Sequence, residues 1–240
     1  MFEEIGVFAP YEEMRTVYKK IKSDLDKNGN LSNIMFLQNK YNTQILFKEH
    51  PELPKKLSND GKERRLVSSC FEKNPYFTDN KVEVDDIRIL GIYSLTRTYK
   101  YLPKKYIEDN GNLNKYKVLV PNSNGSGAVG EVMSTPLIGT PLIGYTQSFI
   151  GIGAFDTIQE AESALKYIKS KFCRLTLGLL KATQSNSPDK WKYVPIQDFS
   201  ENSDIDWSVS ISEIDKQLYK KYGLDEKEIA FIEEKVKEME

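Results

Sequence analysis

The sequence predicts an α/β protein of mixed α+β type, on three observations. Both ends carry apolar residues at helical spacing, and the middle, from Asp86 to Ile152, alternates and is rich in Ile, Thr and Tyr. Between them and the tail, residues 158 to 182 repeat apolar side chains every three or four positions.

Taken in order, Tyr11, Met14, Val17, Ile21 and Leu25 follow Pro10 as one helical stripe, which Asn28-Gly29-Asn30 ends. Residues 31 to 50 predict a second helix, stopped by Pro51 and Pro54. Glu63-Arg64-Arg65, after the turn at Asn59-Asp60-Gly61, reads as a solvated charge cluster. From Asp86 the period becomes two: Ile87, Ile89 and Ile92 alternate, and Thr96 to Leu102, Tyr116 to Val120 and Pro141 to Ile152 have strand composition. The tandem Thr-Pro-Leu-Ile-Gly at 135 to 139 and 140 to 144 predicts two turns of similar shape. Thr157 with Glu160 forms a capping box, and Ala161, Ala164, Leu165, Ile168, Phe172, Leu175 and Leu179 then predict one long helix over 158 to 182. Two more capping boxes, Ser210 with Glu213 and Asp225 with Glu228, open a pair of tail helices separated by Gly223.

The 240 residues are enough for a substantial core, and no run approaches the roughly 20 apolar residues of a membrane span. The start, Met-Phe-Glu-Glu, lacks the basic and apolar stretches of a signal peptide, so the expected compartment is the cytoplasm, without a membrane partner. Cys70 and Cys173 have no CxxC neighbours and predict packed, reduced thiols. Net charge is −1, but it is unevenly placed. Six basic residues face two acids between Arg97 and Lys117, whereas thirteen acids face six bases beyond Ile196.

Gly125, Gly127 and Gly130 spell G-x-G-x-x-G, the turn that brings backbone to a dinucleotide pyrophosphate. The mechanism needs a helix directly after the glycines and an acid about 20 residues on. Here the glycines lead into Glu131 to Pro136, and no acid lies between Glu131 and Asp156. A nucleotide-binding enzyme is therefore the remote alternative. Catalytic constellations are missing: one histidine, His50, supports neither a hydrolytic triad nor a zinc site. Glu233-Glu234-Lys235 has a nuclease-like spelling inside a surface helix. Lys73-Asn74-Pro75-Tyr76-Phe77 and Ile150 to Phe155 echo two methyltransferase loops without their context. No catalytic or metal-ligating residue is assigned.

What remains is polar and uncharged. Asn122, Ser123, Asn124, Ser126, Thr146 and Gln147 carry short groups that donate and accept, and amides can bond an adenine edge bidentately. Arg97, Lys100, Lys104, Lys105, Lys117 and Lys181 are candidates for phosphate contacts, which fix register without reading sequence.

The run Tyr116-Lys-Val-Leu-Val-Pro-Asn-Ser-Asn-Gly-Ser-Gly, then Ile152-Gly-Ala-Phe-Asp-Thr, Glu160-Ala, Lys166-Tyr-Ile-Lys-Ser-Lys-Phe-Cys-Arg and Trp191-Lys-Tyr-Val-Pro, resembles the target-recognition region of fused adenine-specific type II restriction–modification methyltransferases. Ser203-Asp-Ile-Asp-Trp207, Glu213 to Leu224 and Glu228 to Glu233 are similar to the end of that family, so the likeness spans about residues 60 to 240. It implies a DNA target-recognition domain, and with the helical patterns at either end the chain is expected to divide into a helical segment over 1–80, a recognition domain with a strongly twisted mixed sheet over 81–200 and an acidic helical tail over 201–240. It further implies sequence-specific binding of double-stranded DNA beside methyltransferase and nuclease domains, in cis or as a separate subunit. S-adenosylmethionine and magnesium would belong to those domains, and no cofactor is expected in this chain. The alternative from another class is a docking module for a catalytic subunit, acting through the acidic tail.

Overall fold

A computed structural model describes residues 9–123, 128–180 and 184–239. The fold is mixed α+β, with eight α-helices and nine strands in three sheets among the described residues. It forms two compact units, neither continuous in sequence: Met1–Met35 with Ser123–Ile138 and Thr157–Glu240, and Phe36–Asn122 with Gly139–Asp156. This grouping differs from the linear division at residues 80 and 200.

The first unit is helical. α1 (Glu12–Asn28) buries Met14, Val17 and Ile21, has Glu12 and Glu13 in its first turn and Lys27 in its last, and stops at Gly29 with φ of 86°. The second predicted helix does not form over its full length. Asn30 instead caps a short 3-10 turn, Leu31–Ile34, reciprocally with Asn33. The chain then runs through β1 (Met35–Phe36) and β2 (Lys40–Tyr41) before α2 (Thr43–Glu49).

In the second unit, α3 (Leu53–Leu57) and α4 (Cys70–Lys73) are short. Their Leu53, Leu57, Cys70 and Phe71 share an apolar core with Leu46 of α2 and with Ile87 and Ile89 of β3 (Asp86–Tyr93). β4 (Thr96–Pro103) returns antiparallel to β3, and β5 (Ile107–Glu108) pairs with β2. β6 (Tyr116–Pro121) is followed by β7 (Leu137–Gly139), β8 (Ile143–Tyr145) and β9 (Phe149–Phe155). The sheet orders are β4-β3-β8 and β1-β9-β6-β7, with β8 parallel to β3 and β9 antiparallel to β6. The tandem pentapeptides do not make similar turns: Leu137 lies in strand β7, whereas its counterpart Leu142 has φ of 66° and introduces β8.

Back in the helical unit, the predicted long helix is two. α5 (Ile158–Lys169) opens on the Thr157–Glu160 capping box, and α6 (Lys171–Gly178) begins anew because Ser170 leaves helical geometry at ψ of 149° and accepts the Cys173 N–H through its hydroxyl. Apolar periodicity runs through this break, because both helices bury the same kind of stripe. α7 (Ile211–Lys221) is capped by Ser210 and α8 (Glu226–Lys235) by Asp225, with Gly223 between them at φ of 61°. Ile214, Leu218, Phe231 and Ile232 are buried, so the tail is part of this unit's core.

Asp215 of α7 accepts the N–H groups of Lys171 and Phe172 at 3.0 and 2.9 Å, supplying acceptors to the first turn of α6. Burial nevertheless raises its carboxyl pKa from 3.8 to about 6. Between these values the folded chain holds a proton that the unfolded chain has released. Its stabilising effect is therefore full below pH 4 and falls by up to about 3 kcal/mol as pH climbs to 6. Urea melts across pH 4 to 7 should show this fall in the wild type and lack it in Asp215→Asn.

Candidate nucleic-acid interface

The β3–β4 hairpin is the most basic ribbon of the sheet unit. Its register pairs Tyr93 with Thr96, leaving Ser94 and Leu95 as a two-residue turn. Both have positive φ, 47° and 64°, as a type I′ turn demands, although such turns are normally built from Asn and Gly. Leu95 is 99% exposed, so its side chain gains no packing in return. Along the strands, Arg88 lies 5.3 Å from the centre of the Tyr99 ring and Lys100 4.7 Å from that of Tyr93. Arg97 sits 5.7 Å over Phe149 of β9.

A polar cluster lies at the tip end of this sheet. Parallel pairing sets Tyr145 beside Leu90, and the Thr146 N–H donates to the Leu90 carbonyl at 2.9 Å, so residues 146 to 148 run on toward the turn. There the Gln147 amide and the Ser148 hydroxyl reach the Ser68 hydroxyl at 3.3 and 3.2 Å. The Asn122 N–H donates to the Ser148 carbonyl at 2.9 Å. Phe149, under Arg97, is the next residue and pairs with Pro121. Arg97, Asn122 and Gln147, far apart in sequence, therefore converge with Ser68 and Ser148.

Other predicted residues fall elsewhere. Thr146 is fully buried and its hydroxyl accepts the Ser148 N–H, which makes it a turn former without a face for a base. Lys117 is not a phosphate ligand. It is fully buried, and its ammonium donates to the carbonyls of Asn112, Lys115 and Leu113 at 2.7, 3.0 and 3.3 Å. That burial lowers its pKa from 10.5 to about 8. Lys100 pairs with Asp79 at 2.6 Å and Lys105 with Glu49 at 2.7 Å. Lys104 is exposed and bonds Asn114 at 3.4 Å. Lys104 and Lys105 follow the far end of β4, roughly 23 Å of strand from Arg97. Ser123 is exposed and bridges Ser185 in the helical unit. Asn124, Ser126 and Lys181 lie outside the described residues.

The motifs set aside in the sequence have packing roles. Gly130 has φ of 71°, and a Cβ there would stand 2.7 Å from the Lys235 carbonyl, so this glycine lets the loop meet the end of α8. Gly151, in the fragment with methyl-donor spelling, makes room for Tyr145, whose hydroxyl would be 2.4 Å from an added Cβ. Asn74, in the Asn-Pro-Tyr fragment, is buried, bonds the Tyr41 hydroxyl and accepts the Tyr76 N–H. Glu233 bonds Tyr219 and pairs with Lys171, while Lys235 pairs with Glu234. His50 stacks on Tyr76 at 3.6 Å and meets the Tyr106 hydroxyl at 3.1 Å, an aromatic clamp that spacing alone did not reveal. Both cysteines are buried, which pushes their thiols up and leaves them unreactive. No cluster of three metal-ligating side chains occurs among the described residues.

Charge separates with the two units. The sheet unit holds 16 Lys and Arg against 12 Asp and Glu, and the helical unit 18 against 23, so a near-neutral total conceals net charges of +4 and −5. No family model matches this chain, and no curated protein or solved structure matches it.

Sequence reading missed Leu95, Arg88 and Ser68. The first two had a signal: two β-rich runs separated by only Tyr93-Ser94-Leu95 spell a hairpin. Glycine at position 95 would remove the left-handed penalty on a branched side chain. Leu95→Gly should raise stability in denaturant melts by about 1 kcal/mol.

Proposed function

We propose that this chain is a sequence-reading module for double-stranded DNA, acting through the hairpin-tip end of the sheet unit. The observation that carries the reading is the convergence of Arg97 with Asn122, Gln147, Ser148 and Ser68 beside a basic ribbon. Amide and hydroxyl groups discriminate base edges, and cations beside them bind phosphate whatever the sequence. The excess positive charge of this unit favours the same partner. In this reading, methyl transfer from S-adenosylmethionine to adenine belongs to a partner domain or subunit, as the family resemblance implies. The bound duplex would be presented so that the partner can flip its target base.

A docking role confined to the tail has less support. α7 and α8 bury their apolar stripes within the helical unit, so they are not spare arms awaiting a partner. Any docking would use the acidic outer surface of the whole unit.

Binding to a mixed-sequence duplex should weaken steeply with salt. Replacing Arg88 by Ala should lower the slope of log affinity against log salt by about 1. Asn122→Ala and Gln147→Ala should leave that slope intact and change which sequences are enriched from a random duplex pool. No binding at low salt, or equal slopes in all variants, would overturn the proposal.

A further inference from the structure

We infer that Leu95 is an apolar wedge, which the β3–β4 hairpin delivers into the base stack of a bound duplex, prying apart one base step and bending the DNA. This inference rests on the DNA-binding reading above and specifies how the bound duplex is deformed.

Three observations carry it. Leu95 is almost wholly exposed at 99%, and Tyr93 beside it is 39% exposed, so the tip presents apolar surface that nothing in its unit covers. Its backbone sits at φ of 64°, directly after Ser94 at 47°, where glycine or asparagine would be unstrained. A large side chain held there against its own conformational preference and without packing answers to something outside the fold. The ribbon behind the tip supports DNA as the partner. Arg88 and Arg97 line it, Lys100 is held by Asp79, and over residues 86 to 103 the ribbon's only carboxylate is Asp86, which is buried.

A two-stranded ribbon fits a DNA groove, and its cations meet the phosphate walls while its turn reaches the floor. Leucine is among the side chains that enter base steps as wedges, and unstacking a flexible pyrimidine–purine step is the least costly way to admit one. The polar cluster at the same end of the sheet then lies beside the opened step, where bent DNA exposes base edges.

The test uses the full chain and duplexes that the wild type enriches from a random pool, resynthesised with 2-aminopurine at successive positions. One step should brighten on binding, with a matching bend in end-to-end fluorescence energy transfer. Leu95→Gly should still bind these duplexes while losing both signals, and Leu95→Met should keep them. Binding with no brightened step, or brightening that survives Leu95→Gly, would overturn the wedge and leave DNA recognition standing. Failure of the wild type to enrich any duplex would remove both readings together. If Leu95→Gly retains the DNA signals and loses association with a methyltransferase subunit, the tip is a protein contact and the wedge is wrong.

Discussion

The sheet unit depends on one buried amide–phenol network around Tyr145. Asn39 treats Tyr145 as a strand partner, donating its N–H to the Tyr145 carbonyl at 3.2 Å and accepting the Tyr145 N–H on its side chain at 3.0 Å. The Asn39 amide then donates to the Glu108 carbonyl and to Asn110. Asn110 returns to the Tyr145 hydroxyl at 2.8 Å and to the Leu37 carbonyl at 2.7 Å. The hydroxyl shares its single proton between the Phe36 carbonyl and Asn112, which itself donates to the Gly153 carbonyl. Every member is satisfied by groups from several segments, and a buried polar group left unpaired would cost about 1–3 kcal/mol. The network fixes where β8 ends, and so where Thr146, Gln147 and Ser148 begin.

That dependence explains what could be read in the sequence. Capping boxes at Thr157 and Asp225, the serine cap at Ser210 and the strand composition of β3 are local signals, and the fold follows them. The network is not local, since Asn39 and Tyr145 are separated by over a hundred positions. Its asparagines look like ordinary loop formers in sequence, and one of them, Asn39, lies extended beside Tyr145 within the stretch expected to be helical over 31 to 50. The break at Ser170 hid for a different reason: a serine can cap a new helix without interrupting the apolar stripe on either side.

At the candidate interface, residue type was legible and exposure was not. Lys117 and Arg97 are both basic residues in strand-like sequence, yet one ammonium is spent on three carbonyls inside the unit while the other cation lies over Phe149. Thr146 and Gln147 are neighbours in the turn after β8, yet the first is buried and the second reaches Ser68. A similar division operates on charge. Only after the chain is sorted into its two discontinuous units does a net of −1 resolve into a basic sheet unit and an acidic helical unit.

The central claim is that one end of the β4-β3-β8 sheet meets DNA. Backbone hydrogen exchange, followed with and without an enriched duplex at low salt, addresses it directly. Protection should appear in residues 92 to 98, 146 to 148 and around Ser68 and Asn122. Protection confined to α7 and α8, or exchange unchanged throughout the sheet unit while the duplex is bound, would contradict it.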